Sequence, residues 1–408
     1  MSAKVDKDRL WKSLETHGAI GGAEPGGVNR EALTEVDKQG RDQFIAWCRE
    51  ANMEIAIDSL GTIYATRPGT DNSLAPVAMG SHLDTQPTGG KYDGILGVLG
   101  GLEVVRALND AGITTRRPVQ LVNWTNEEGS RFLPSMAASG VYAGIFKERD
   151  VLAEKDSAGI TMGQALETIG YKGSESVGER KFHAFLELHI EQGPVLEDKG
   201  MEVGVVTGSQ AMNWSNVIVK GRAAHAGTTP MPDRLDALAA TTRLLNRAYE
   251  KGNAIEGACT TIGVMNAYPG SHSTVPHRVE LTLDLRHPDQ EILNELVADF
   301  DDAAEAERQL GFDVVREEFG AAEVQVFDQC CTQAIRAAAQ AGNYRHCDIV
   351  SGAGHDAVYI NQVCPAGMIF IPCKGGISHN PAESITPEHA CAGVDVLLGS
   401  VLSLANEY

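Results

Sequence analysis

The chain contains no CxxC pair: its eight cysteines (Cys48, Cys259, Cys330, Cys331, Cys347, Cys364, Cys373 and Cys391) are dispersed over 408 residues. Neither a thiolate zinc site nor a closely stapled disulfide framework is therefore indicated. They read as reduced core thiols, and Cys373 alone lies close to a candidate motif. Basic runs and basic amphipathic helices are also missing. With 34 Lys and Arg against 55 Asp and Glu, the formal charge is −21, which argues against nucleic acid and anionic membrane as partners. No apolar run approaches the ~18 residues of a membrane span. The opening MSAKVDKDRLWKSLETHG lacks the apolar core of a secretory signal, so a cytoplasmic location is expected. Internal repeats and low-complexity segments are absent.

What is present is length and a strong α/β rhythm. A chain of 408 residues exceeds the size at which one core usually keeps growing, which predicts two domains. Residues 7–16 and 31–50 carry helix-spaced apolar positions, and Met53, Ile55 and Ile57 alternate as in a strand. Ala75 to Met79 and Val119 to Trp124 read as buried strands joined by a helix over Ile95 to Ala111, a parallel βαβ unit. In the strand Phe185 to Ile190, Leu186 and Leu188 face one way and Glu187, His189 and Glu191 the other. Residues 212–326 change rhythm, with two long helices against about four strands, an α+β pattern. The α/β pattern returns after 327. Residues 1–211 and 327–408 are thus expected to form one α/β domain, with 212–326 inserted in it.

The chemistry gathers around Gly80 to Gly97, GSHLDTQPTGGKYDGILG. It places His82, Asp84 and Asp93 just beyond a strand, a frequent site for ligands in open α/β sheets. His82 and Asp84 lie on one side of an extended segment, so Asp84 can hold one ring nitrogen while the other meets a metal. Glu127 and Glu128 follow VQLVNW, His189 lies in ELHIEQGP, and His379 follows a Gly-Gly turn in CKGGISHNPAE. Any one of these alone reads better as a solvated turn or a structural histidine. Together His82, Asp93, Glu128, His189 and His379 form a mixed His and carboxylate set suited to zinc, manganese or a similar divalent ion. Five ligands are too many for one open catalytic zinc and suit two bridged ions, with Asp93 the natural bridge. His225, in GRAAHAGTTPMPDR, reads alone as a loop histidine capping a turn. Arg286 lies on the charged face of RVELTLDLRH, where an arginine can grip a carboxylate.

GSHLDTQPTGGKYDG, NWTNEEGSRF, ELHIEQGPVLE, GRAAHAGTTPM, SGAGHDA and GISHNPAE, in that order, resemble the amidase/hydantoinase-carbamoylase branch of the dizinc M20 peptidase family. The resemblance covers nearly the whole chain. It implies a dimetal aminopeptidase-like α/β catalytic domain with an inserted ferredoxin-like lid, through which homodimers form. It also implies hydrolysis of the C–N bond of an N-carbamoyl-L-amino acid, giving the amino acid, ammonia and carbon dioxide. Allantoate or β-ureidopropionate hydrolysis and N-acyl-amino acid deacylation are the alternatives. The implied cofactors are two divalent ions, zinc first, with manganese, cobalt or nickel as substitutes. Carried over, His82 and His189 hold one ion, Glu128 and His379 the other, and Asp93 bridges. Asp84 orients His82, Glu127 is the general base and His225 reaches the partner subunit's site. Arg286 grips the substrate carboxylate, and Gln192 and Gln210 join it as substrate contacts. The chain departs from the branch at Ser273, where an asparagine is expected, and in AMNWSN after Gln210. Ser273 has a shorter reach and no amide pair, which would admit a bulkier or differently shaped acid.

Overall fold

The structure, a computed structural model, describes residues 3–407. It divides into two compact units, one running to Gly208 and resuming at Val326, the other Ser209–Gln325.

The first unit is built on a nine-stranded mixed sheet. Its middle strands, Ala366–Ile371, Ala184–Ile190, Val77–His82 and Val119–Trp124, run parallel to one another. All are buried on both faces, as parallel strands covered by helices are. Parallel pairing in register, for example His82 beside Trp124 and Phe370 beside His189, brings four strand ends to one edge of the sheet. The segments bearing His82, Glu127, His189 and His379 all leave from that edge. The helix Ile95–Asp110 joins two of these strands and is apolar almost all round, with Ile95 to Val105 buried without a break. Its start is set by Gly94 at φ 71°, a conformation that disfavours a side chain. A Cβ there would lie 2.3 Å from the His82 ring, so the glycine also lets the chain pass tightly over that histidine.

Two features differ from expectation. The strand Ala184–Ile190 has no solvent face: Glu187 and His189 are as buried as Leu186 and Leu188, because helices cover both sides of the sheet. The closing helix Pro387–Asn406 is long and apolar enough by composition to cross a membrane, with a mean hydropathy of 1.3. Its apolar positions are instead used in packing: Val394, Leu397, Val401 and Leu404 are fully buried, against the helices Ile95–Asp110 and Gln329–Ala341. Strands Ile63–Arg67, Val203–Ser209 and His346–Ser351 and the short helices between 137 and 169 carry too few periodic positions to be read from sequence.

The second unit holds the strands Cys259–Thr261, Arg278–His287, Ala211–Lys220 and Asp313–Ala322 in that order, all antiparallel. Helices Ala237–Ala254 and Gln290–Gln309 follow the first and third strands in the chain, giving the β-α-β-β-α-β order of ferredoxin-like domains. Strand Arg278–His287 alternates as its sequence predicts, with Val279, Leu281, Leu283 and Leu285 buried. These residues meet Leu244, Leu296 and Phe300 of the helices in a separate core.

Candidate metal centre

Side chains from the strand ends converge into two groups able to hold a cation. His82, Asp93 and His189 form one, and Asp93, Glu128 and His379 the other, with ligand atoms in each within 4.8 Å of one another. Asp93 belongs to both. Its Oδ1 faces His189 Nε2 at 3.1 Å and His82 Nε2 at 3.8 Å, while its Oδ2 faces His379 Nε2 at 3.3 Å. The second group closes with His379 Nε2 3.4 Å from Glu128 Oε2. One carboxylate thus offers an oxygen to each group, as a bridging ligand must.

The ring orientations fit metal ligation. His82 Nδ1 donates to the Asp84 main-chain carbonyl and His189 Nδ1 to that of Ile190, each at 2.9 Å. A carbonyl can only accept, so each Nδ1 carries a proton and each ring turns Nε2, the atom free to ligate, to the cluster. Gly94 N–H lies 3.1 Å from His189 Nε2. The Asp84 carboxylate does not take the expected role. It stands 4.0 Å from His82 Nδ1 and instead accepts from the main-chain N–H groups of Glu127 (3.4 Å) and Glu128 (3.2 Å). Asp84 therefore fixes His82 through its backbone and the two glutamates through its side chain.

The electrostatics show a site short of positive charge. Burial, then repulsion from Asp356 and Glu128, holds Glu127 well above the usual carboxylate range. Burial and the charge of Asp93 push Glu128 up to about 8, and burial with Asp37 pushes Asp84 to about 7. Burial lowers His82 to about 4. For His189, burial favours the neutral ring, but the hydrogen bond and charge of Asp93 outweigh it and raise the group to about 9. A separate hydrogen bond to Asp93 raises His379 to about 9. These are imidazole and carboxylate donors whose excess negative charge is met only by protons. Two divalent cations suit such a donor set in both charge and ligand type.

Glu127 lies at the junction of this cluster, Oε2 3.5 Å from His82 Nε2. Gln192, in a left-handed conformation (φ 58°), donates from Nε2 to Asp93 Oδ2 (2.9 Å) and to Ser378 Oγ (3.1 Å). It faces the bridging carboxylate, a position the sequence did not suggest. Cys373 is buried, its thiol pushed up to about 11 by that burial, and is unsuited to act as a thiolate.

The remaining expected residues lie in the second unit. His225 Nδ1 accepts from the N–H groups of Gly227 (3.0 Å) and Thr228 (3.2 Å). This is the turn-capping arrangement its sequence context suggested, and it leaves the proton on an exposed Nε2. Its strand pairs with Thr274, next to Ser273. Arg286 bonds Asp284 through Nε and Nη2 (2.9–3.1 Å) and lies over the Trp214 ring, which stacks on Phe319. Gln210 is buried.

Some residues of the site carry no role in the sequence reading. His355 and Asp356 come from SGAGHDA, quoted above only as a motif. The His355 ring lies 4.4 Å from that of His189, and its Nε2 is buried without a partner. Glu187, His189 and His355 form a third group. The Glu187 oxygens, however, are taken by Ser81 Oγ (2.6 Å) and Ala357 N–H (2.8 Å), so this group reads as support for His189.

The profile of Peptidase family M20/M25/M40 matches residues 78–403. The N-carbamoyl-L-amino-acid amidohydrolase of Rhizobium meliloti is 46% identical over 404 residues, covering 98% of this chain and 97% of that protein. A ureidoglycolate hydrolase of Oryza sativa is 32% identical, covering 96% of this chain and 84% of that protein. Among solved structures, an amidase of the hydantoinase/carbamoylase family from Burkholderia multivorans superposes with a TM-score of 0.94 at 47% identity, covering 100% of both chains.

Proposed function

Because the chain belongs to peptidase family M20/M25/M40 and is an amidohydrolase of its carbamoylase type, we propose that it hydrolyses the C–N bond of an N-carbamoyl-L-amino acid. The observation that carries this reading is Asp93, shared between two ligand groups with Glu127 beside them. His82 and His189 would hold one divalent ion, Glu128 and His379 the other, and Asp93 would bridge. Bound there, the ions supply Lewis acidity to the carbamoyl oxygen and to the attacking water. Zinc is the ion proposed first, on the donor set.

The chain's own part is proton movement and orientation. Glu127, beside both ligand groups, would take a proton from water as oxygen bonds to the carbamoyl carbon. It returns that proton to the amino acid's nitrogen as the C–N bond opens, leaving a carbamate that breaks down to ammonia and carbon dioxide. His225 keeps its Nδ1 on the turn, so Nε2–H is the donor it would offer to charge developing on the carbonyl oxygen. Arg286 would hold the substrate carboxylate, with Ser273, Gln192 and Gln210 shaping its surroundings. For Gln192, contact with Asp93 would place it between metal bridge and substrate.

We assign Ser209–Gln325 the role of lid and dimerisation domain. Its strand Met265–Tyr268 is exposed at every residue and suits pairing with a second copy. Met265→Lys should then shift the protein from dimer to monomer in sedimentation. The eight unpaired cysteines favour a reducing compartment such as the cytoplasm. A second reading, an allantoate- or ureidoglycolate-type substrate, draws support from the Oryza sativa relative and from Ser273. Ammonia release from N-carbamoyl-L-amino acids, allantoate and ureidoglycolate, assayed side by side on metal-loaded protein, decides between them. Release from none of them would remove the proposal.

A further inference from the structure

The loop that brings His379 to the site also carries Ser378 and Glu383, and these two reach back to Asp93 across some 290 residues of chain. Glu383 is buried, yet it ligates nothing in either group. Its Oε1 accepts from the main-chain N–H of Tyr92 (2.8 Å) and of Asp93 (3.2 Å). Its Oε2 lies 3.1 Å from Ser378 Oγ, and that hydroxyl donates to Asp93 Oδ2 at 2.8 Å. The carboxyl fits against Gly90, where an added Cβ would lie 2.0 Å from it. The loop is closed on itself by Glu383 N–H to Asn380 O (3.0 Å) and Lys374 N–H to Ser384 O (2.8 Å). Glu383 therefore grips the Asp93 backbone while Ser378 grips its side chain, and both stand in the loop that presents His379.

We propose that Glu383, acting with Ser378, is the positioning residue of the bridging carboxylate. It locks the loop bearing Asp93 to the loop bearing His379, so that both oxygens of Asp93 stay aimed at their separate ligand groups. The proposal rests on the two-ion reading above. Outer partners of this kind typically hold about 10–100-fold in metal affinity, and both ion sites depend on Asp93.

The geometry makes a specific demand on variants. Glutamine at 383 keeps the clamp: its oxygen accepts from Tyr92 and Asp93 N–H, and its amide donates to Ser378 Oγ. Alanine removes it. The experiment is zinc titration of chelator-treated full-length protein against a chromophoric competitor, with the cobalt(II) visible spectrum as a geometric readout and circular dichroism as a folding control. Expected are two ions in wild type and an affinity loss of about 10–100-fold with an altered cobalt spectrum in Glu383→Ala, as for other outer-sphere deletions. Glu383→Gln should remain near wild type, and Ser378→Ala should fall between. Wild-type affinity in folded Glu383→Ala would overturn the clamp. So would a Glu383→Gln variant as impaired as Glu383→Ala, since the carboxylate charge would then be what matters. If Glu383→Ala fails to fold, Ser378→Ala with unchanged affinity and spectrum overturns it instead. Wild type holding fewer than two ions would overturn the two-ion reading itself.

Discussion

Replacing Glu127 with glutamine separates proton transfer from metal binding. The substitution is nearly isosteric at a buried position, and none of its neighbours needs the carboxylate to stay in place. The Glu127 carbonyl still accepts from Met136 N–H (2.6 Å), and its N–H still points to Asp84 Oδ1 (3.4 Å). His82, Asp93, Glu128, His189 and His379 are untouched, so metal content should stay at the wild-type value. What disappears is the carboxylate that stands beside both ligand groups to take the proton from water. A positioned general base contributes about 10²–10⁴ in rate, or roughly 3–5 kcal/mol of barrier, and the fall should appear in kcat with KM little changed. Initial rates of ammonia release and elemental analysis on one preparation measure both quantities. A variant retaining wild-type kcat would refute the role of base. One that lost metal with its activity would make Glu127 a ligand.

Three further predictions test the scaffold. Gly94→Ala places a Cβ 2.3 Å from the His82 ring at φ 71°, so the ring must move and elemental analysis should find fewer ions per chain than in wild type. Asp37 and Arg41 pair at 2.7 Å with both side chains fully buried, and Asp37→Ala should cost about 3–5 kcal/mol by leaving a buried charge unpaired, read from the urea midpoint. Burial pushes the Asp58 carboxyl up to about 6 from 3.8 against the hydrogen bonds of Thr62, Tyr64 and Leu60. The native state therefore binds this proton more tightly than the unfolded one. Its stabilisation is complete below about pH 4 and is lost as pH rises through about 6, a change of roughly 3 kcal/mol. Wild type should lose that much relative to Asp58→Asn between pH 4 and 7 in paired denaturation series; parallel pH profiles would contradict it.

How far the sequence could be read depended on whether a residue's role lies in its own segment. His82, Glu128 and His189 stand at or just beyond the end of an apolar strand run, Asp93 and His379 lie on loops that follow one, and parallel strands deliver such segments to one edge. Their convergence follows from local signals and one topological rule. The alternation of Leu186 and Leu188 with Glu187 and His189 was visible, but burial of both faces was not, because it depends on helices far away in sequence. Asp84 shows the limit of period-two reasoning: it places the residue beside His82 but cannot tell its carbonyl from its carboxylate. Ser378, Glu383, His355 and Asp356 act on partners up to 291 residues away, and no spacing within their own segments records that. The closing helix Pro387–Asn406 carries enough apolar residues for a membrane segment, and only its packing partners reveal a core element.

The most direct test of the account is metal analysis of the purified protein, followed on the same sample by ammonia release from an N-carbamoyl-L-amino acid. The account predicts about two divalent ions per chain, as two ligand groups sharing one carboxylate require, and ammonia formed in step with free amino acid. A protein that takes up neither zinc nor manganese and releases no ammonia would contradict it.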